Sequence, residues 1–298
     1  MSTPRAAGPR GIDHVVHVVR DLEAAGALYQ RLGFRVGARN RHPFGTHNRI
    51  VQLAGSFVEL LTVAEPGNIA APQPRRYSFG AFNRDFLARQ DGLSMLALES
   101  HSETGDADAF RASGIGDFEP FRFEREGRHP DGTPLRVVFT LSFATDPKAP
   151  HAGFFTCRHH HPENFWNPAF QDHPNTARTI AGVVLVAENP TDHHIFLEAF
   201  AGEREVLATS SGITVKTPRG DIQVMDPAAF RVHFDTTPPP VGEGARFAAL
   251  RFGVRDLIAT QAAMRASGTA ARTHMGRLVV EPGIAMGATL AFEAVRND

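Results

Sequence analysis

The chain has 298 residues, 42% of them hydrophobic, with 31 Lys+Arg against 32 Asp+Glu and a single cysteine. That length predicts about two domains of ~150 residues, or one unit built from repeats, and the balanced charge leaves no footprint for nucleic acid or an anionic membrane surface. Cys157 alone excludes an intrachain disulfide and fits a reducing cytoplasm; no aliphatic run has the length of a signal core or a spanning helix, so a soluble cytoplasmic protein is the expectation.

Residues 12–19 are rich in β-branched side chains and predict a strand. Asp21 can cap the helix that follows, in which Leu22, Ala25, Leu28 and Leu32 keep helical spacing until Gly33 ends it. A second strand follows, then two more around 48–54 and 57–62, separated by the tight hairpin Ala54-Gly55-Ser56. A second copy of this pattern starts at Leu93, with a helical stretch ending at Gly114 and strands near 118–124, 135–143 and 154–159. A third starts at Ile180, with a helix between Pro190 and Gly202 and strands near Ile213 and Ile222. The fourth is the clearest repeat. Val254-Arg255-Asp256-Leu257 restates Val19-Arg20-Asp21-Leu22, Gly268 keeps the register of Gly33, and residues 288–295 supply the closing strand. Unit starts near 12, 93, 180 and 247 predict an α+β fold of four tandem βαβββ units. The boundaries fall in residues 161–174 and 237–240, giving an N-terminal domain over 11–165 and a C-terminal one over 175–296.

Four such units, the first opening with Asp13-His14-Val15-Val16 and carrying a Glu in its last strand, resemble the vicinal oxygen chelate (VOC) superfamily, which includes glyoxalase I, extradiol dioxygenases and bleomycin-resistance proteins. Arg41-His42-Pro43, Gly45-Thr46-His47-Asn48, residues 57–61, Cys157-Arg158-His159, Trp166-Asn167-Pro168 and His173-Pro174-Asn175 are most similar to its glyoxalase-like branch. The resemblance implies that units pair and curl their mixed sheets around a central cavity.

Residues two apart on a strand share a face, so His14 stands beside Ile12 and Val16, and Glu59 beside Phe57 and Leu61. A carboxylate among apolar neighbours is costly unless it is paired, hydrogen-bonded or bound to a cation, and a neutral imidazole is its natural companion ligand. The resemblance places His14 and Glu59 where the superfamily holds a divalent metal; a His–Glu hydrogen bond, or a Glu facing solvent, is the alternative. For a third ligand His159 is the choice, with Cys157 and His161 behind it, against a solvated His159-His160-His161 loop. Two histidines and one carboxylate suit Fe, Mn, Ni or Zn.

His47 is the candidate acid–base group together with Glu59, since imidazole titrates near neutral pH; a turn-stabilising His47–Asn48 pair is the other reading. Asn48, Arg158 and Trp166 are candidate substrate-binding residues. His17 reads as a core histidine, and Glu124-Arg125-Glu126 as solvated surface. Glu293 is the rival carboxylate of the last unit. Ala249 and Gly182 stand where the C-terminal units of a dioxygenase would carry histidines, so a metal is expected in the N-terminal pair. Two functions stay open. One is a metal-dependent lyase, isomerase or oxygenase acting on a small molecule with two neighbouring oxygens; the other is a metal-free binding or sequestration protein. Whether a homodimer forms is also open.

Overall fold

The computed structural model describes residues 8–102, 104–128 and 133–295. The first unit consists of β1 (Ile12–Val18), α1 (Leu22–Arg31), β2 (Asn40–Arg41), β3 (Thr46–Leu53) and β4 (Ser56–Val63). A connecting helix, α2 (Phe79–Leu87), leads to β5 (Gly92–Glu99), α3 (Gly105–Ala112), β6 (Phe121–Arg128), β7 (Pro134–Ala144) and β8 (Gly153–His159). The third unit is β9 (Ala177–Val186), α4 (His194–Ala201), β10 (Val206–Thr209), β11 (Gly212–Lys216) and β12 (Asp221–Met225). A second connecting helix, α5 (Pro227–Phe234), precedes β13 (Arg246–Val254), α6 (Leu257–Ala266), β14 (Arg272–His274), β15 (Arg277–Val280) and β16 (Thr289–Ala294).

The repeated tetrapeptide is a helix-start signal. Asp21 accepts the Ala24 N–H at 2.9 Å, and Asp256 accepts those of Ile258 and Ala259 at 2.8 and 2.9 Å, satisfying donors that the first turn leaves orphaned. The paired glycine ends each helix in the left-handed region, with φ +84 at Gly33 and +69 at Gly268. At Gly33 a Cβ would also come within 2.8 Å of the Asn175 Cβ, so only glycine fits. The connecting helices α2 and α5 lie outside the four-unit pattern and were not anticipated from it. Each is short and starts on its own cap, Ser78 for α2 and Asp226 with Pro227 for α5.

The units form two eight-stranded mixed sheets, in the orders β2-β3-β4-β1-β5-β8-β7-β6 and β10-β11-β12-β9-β13-β16-β15-β14. The orders are the same. Within a unit the first and last strands run parallel (β1 with β4, β13 with β16), and two units join through an antiparallel seam of first strands, β1 with β5 and β9 with β13. First pairs with second, third with fourth. The outer faces of both sheets and their helices share one core, in which Phe34 and Phe154 of one half meet Phe252, Phe292 and Phe247 of the other. Each inner face has a cluster of its own, rich in phenylalanine in the first sheet and smaller in the second.

His17 is a core histidine. It is fully buried, its Nδ1 is 3.0 Å from the Tyr29 hydroxyl and its Nε2 3.0 Å from the Met286 carbonyl of the other half. The His173-Pro174-Asn175 motif is structural as well: His173 bonds the Gln52 carbonyl at 2.7 Å and Asn175 the Leu32 carbonyl at 2.8 Å, pinning the linker onto the first unit. Among the described residues no helix is long and apolar enough to cross a membrane.

Candidate functional site

Parallel pairing of β1 with β4 sets His14 opposite Phe57 and Val16 opposite Glu59, so His14 and Glu59 stand one inner-face step apart. The His14 Nε2 lies 3.8 Å from Glu59 Oε2, with both side chains buried. The His14 ring stacks on Phe57 at 4.3 Å and meets the edge of Phe155 at 5.2 Å, which fixes its plane. Its Nδ1 is 2.6 Å from Asp13 Oδ1. Burial alone would raise the Asp13 carboxyl, but His159 and His14 hold it far below the usual carboxylate range. An anionic Asp13 keeps the proton on Nδ1 and turns the Nε2 lone pair toward Glu59, the arrangement by which a carboxylate orients a ligating histidine.

A second imidazole, that of the Arg41-His42-Pro43 motif and not among the candidate ligands read from the sequence, faces the same carboxylate. His42 Nε2 is 3.9 Å from Glu59 Oε1, its Nδ1 is 2.9 Å from Thr46 Oγ1, and its ring stacks on Phe44 at 4.9 Å. Burial, with Arg125, His47 and His14 nearby, pushes it down to about 3, so it is neutral at any physiological pH. Asn48 ties the group together, its Nδ2 lying 2.5 Å from Glu59 Oε1 and 3.2 Å from His42 Nε2. Burial raises the Glu59 carboxyl, against the pull of His14, Asn48 and Arg125.

These groups line a cavity of about 40 Å³ whose remaining wall is aromatic, with Phe44, Phe79, Phe123, Phe139 and Phe165 among its residues. Arg125 lines it too, which corrects the surface reading of Glu124-Arg125-Glu126. On β6, Phe121, Phe123 and Arg125 share the inner face, whereas Glu124 and Glu126 are exposed. The signal was this alternation.

Of the candidate site residues singled out from the sequence, the cavity gathers His14, Asn48, Glu59 and Cys157. His47 alternates with Asn48 and points to the other side of β3, where its Nε2 is 2.7 Å from Glu65 Oε1 and its Nδ1 accepts from Arg39 Nε at 2.9 Å. His47 and Asn48 therefore do not form a pair. His159 reaches Asp13, with Nε2 3.2 Å from Oδ2, and stacks on Trp166. It lines a separate cleft of about 300 Å³ with Arg158, Trp166 and Arg219 of the third unit. Arg158 there donates to the Ser100 carbonyl at 3.4 Å. Cys157 borders both spaces; its thiol is raised well above the ordinary value by burial and by Asp13 and Glu59, which makes it an unreactive one. Glu293 is bound on β16 by Arg251 and by Arg277, the latter at 2.6 Å, and so faces guanidinium groups rather than imidazoles.

Two imidazoles and a carboxylate are donors of the kind a divalent ion takes, though the ligand atoms of His14, His42 and Glu59 do not all lie within 4.8 Å of one another. The two Nε2 atoms of His14 and His42 confront the two oxygens of Glu59, and each imidazole has its Nδ1 held by a neighbour. A second group, Asp13, Cys157 and His159, has one ligand atom each within 4.8 Å of one another, and His159 Nδ1 is buried without a hydrogen-bond partner.

The profile of the glyoxalase-like domain family matches residues 12–200. The chain belongs to this family. Solved structures agree on the architecture of the glyoxalase-like chain. A hypothetical protein from Staphylococcus aureus superposes with a TM-score of 0.66 at 11% identity, covering 96% of this chain and 100% of that one. A fusion protein of a xylose isomerase-like TIM barrel with 4-hydroxyphenylpyruvate dioxygenase gives 0.59 at 12% identity, over 100% of this chain and 51% of the other. A mutant of 4-hydroxymandelate synthase from Streptomyces coelicolor gives 0.58 at 12%, over 97% and 95%. At such identities the likeness is one of fold, the VOC fold expected from the sequence. No curated protein matches the sequence.

Proposed function

We propose that this glyoxalase-like protein is a divalent-metal-dependent enzyme acting on a small molecule that presents two neighbouring oxygens, by lyase, isomerase or oxygenase chemistry. The observation that carries the reading is His14 Nε2, its tautomer set by Asp13, facing Glu59 at 3.8 Å inside an aromatic cavity. His14 and Glu59 would hold the ion. His42 is the third ligand of this reading, its Nε2 3.9 Å from the Glu59 oxygen that Asn48 also bonds, whereas the Nε2 of His159 points to Asp13. Lewis-acid polarisation of the two substrate oxygens is what an ion bound there supplies. Asn48 positions Glu59 through its amide, the phenylalanine wall excludes water, and Glu59, raised by burial, is the group placed to carry a proton. His47, on the outer side of β3, acts in this scheme only through Glu65 and Arg39.

A second reading places the ion on Asp13, Cys157 and His159, and the 4.8 Å grouping of their ligand atoms favours it. Metal analysis of untagged protein separates the two. Near-stoichiometric Fe, Mn, Ni or Zn that is lost in His14→Ala and Glu59→Gln but kept in His159→Ala supports the first; the reverse pattern supports the second. Protein that binds aromatic ligands but takes up no metal would be a sequestration protein instead.

A further inference from the structure

Arg125 borders two spaces. On one side it lines the 40 Å³ cavity with His14, His42 and Glu59; on the other it lines a groove of about 460 Å³ walled by Ile50, Leu135, Val137, Phe165, Trp166 and Phe170. Ile50 and Phe165 border both spaces as well, so the guanidinium lies between the inner groups and the groove. Among the described residues, Arg125 Nη1 donates to Asn40 Oδ1 at 2.9 Å and no carboxylate lies within ion-pair distance of 4.0 Å; Glu59 acts on it only from farther away. Of the groove's other polar residues, Gln52 is already spent, donating to the Phe165 carbonyl at 2.7 Å and accepting the Asn167 N–H at 3.0 Å, and the Glu163 carboxylate is exposed.

A half-buried guanidinium stays charged and carries five donors in a planar fork that matches a carboxylate. Holding that charge between aromatic walls without an ion-pair partner is costly, and an anionic ligand removes the cost. One cation opposite a buried glutamate suits a monoanion rather than a phosphate dianion, and the aromatic wall suits a flat apolar body.

We propose that Arg125 is the anion anchor of the ligand site, pairing with the carboxylate of an aryl carboxylic acid whose ring lies in the groove beside Trp166. The inference rests on the reading above only in taking the cavity as the ligand site; it does not need the metal.

The probes are trans-cinnamate and its neutral isostere cinnamamide, titrated against the full-length protein as purified and after chelation of metal. Trp166, the chain's sole tryptophan, reports through its emission, and calorimetry checks the constants. The wild type is expected to bind cinnamate at least ~10-fold more tightly than cinnamamide, the size of one charge-assisted contact. Arg125→Gln should bring the ratio to about one, while Arg125→Lys, which keeps the charge without the fork, retains part of it. Four results would overturn the proposal: equal binding of the two probes by the wild type, no binding of either, a ratio unchanged in Arg125→Gln, or a ratio that vanishes on chelation and so belongs to the ion. A ratio that persists in protein found to hold no metal sinks the metal reading alone.

Discussion

The inner faces of the two sheets share one strand order and carry opposite chemistry. Each keeps a glutamate on the last strand of a unit, Glu59 on β4 and Glu293 on β16. Glu59 meets two imidazoles and an amide across a small cavity; Glu293 is clamped by Arg251 and Arg277. The Arg251 guanidinium lies over Gly182, 3.1 Å from where a Cβ there would be, and Phe230 and Phe234 of α5 are fully buried on the same side. In the second sheet a guanidinium thus satisfies the carboxylate and aromatic rings fill the space. The first sheet leaves both the carboxylate and some space in reach of a ligand. One repeated scaffold therefore yields a sealed face or a receptive one, depending on what confronts a single acid.

The widest separation between the faces should be in metal uptake. Glu59→Gln is expected to cut bound divalent ion at least ~10-fold and Glu293→Gln to leave it unchanged, read by elemental analysis of untagged protein. Stability should show the opposite. Glu293→Gln leaves the buried Arg251 guanidinium and the half-buried one of Arg277 without a charged partner and should lower the unfolding free energy by ~3 kcal/mol in urea melts. Phe230→Ala should cost ~3 kcal/mol by opening a void on the sealed face, which a cavity-binding apolar probe such as xenon would detect.

Acid should strike the sealed face as well. Burial would raise the Glu293 carboxyl, yet Arg251 and Arg277 hold it below its ordinary value of 4.5. Its contribution is complete above that value and is lost as pH falls through the depressed folded value, because the unfolded chain takes up the proton first. The urea midpoint of the wild type should fall below pH 4.5 more steeply than that of Glu293→Gln. The smallest effect is expected from Glu59→Gln on metal-free protein. Burial already disfavours the Glu59 charge, so a neutral amide of the same shape should change stability by no more than ~1 kcal/mol.

The repeat architecture was legible because its signals are local: the Asp cap, the left-handed glycine and period-two strands recur in register. His14 and Glu59 were legible for the same reason, as polar residues on apolar strand faces. His47 and Asn48 show where locality ends. They are neighbours, so only one can face inward, and the register that sets Ile50 against Glu59 gives that side to Asn48. His42 lies beyond the two-residue strand β2, and only the long-range fold of β3 onto β4 brings it to Glu59. Arg125 was hidden differently. Two flanking glutamates made the segment look solvated, while the phenylalanines two and four residues before it carried the orientation. His159 was read as a ligand by type, and its direction depends on Asp13, which is adjacent to His14 and distant from His159 in sequence.

The core shared by the outer faces bears on how the chain is inherited and handled. With Phe154 of β8 packed on Phe247 of β13, and His17 bonded to the Met286 carbonyl, the halves are interlocked like clasped hands. A gene cut within residues 161–174 should give two sticky fragments rather than two small proteins, and the intact chain should melt in one cooperative step.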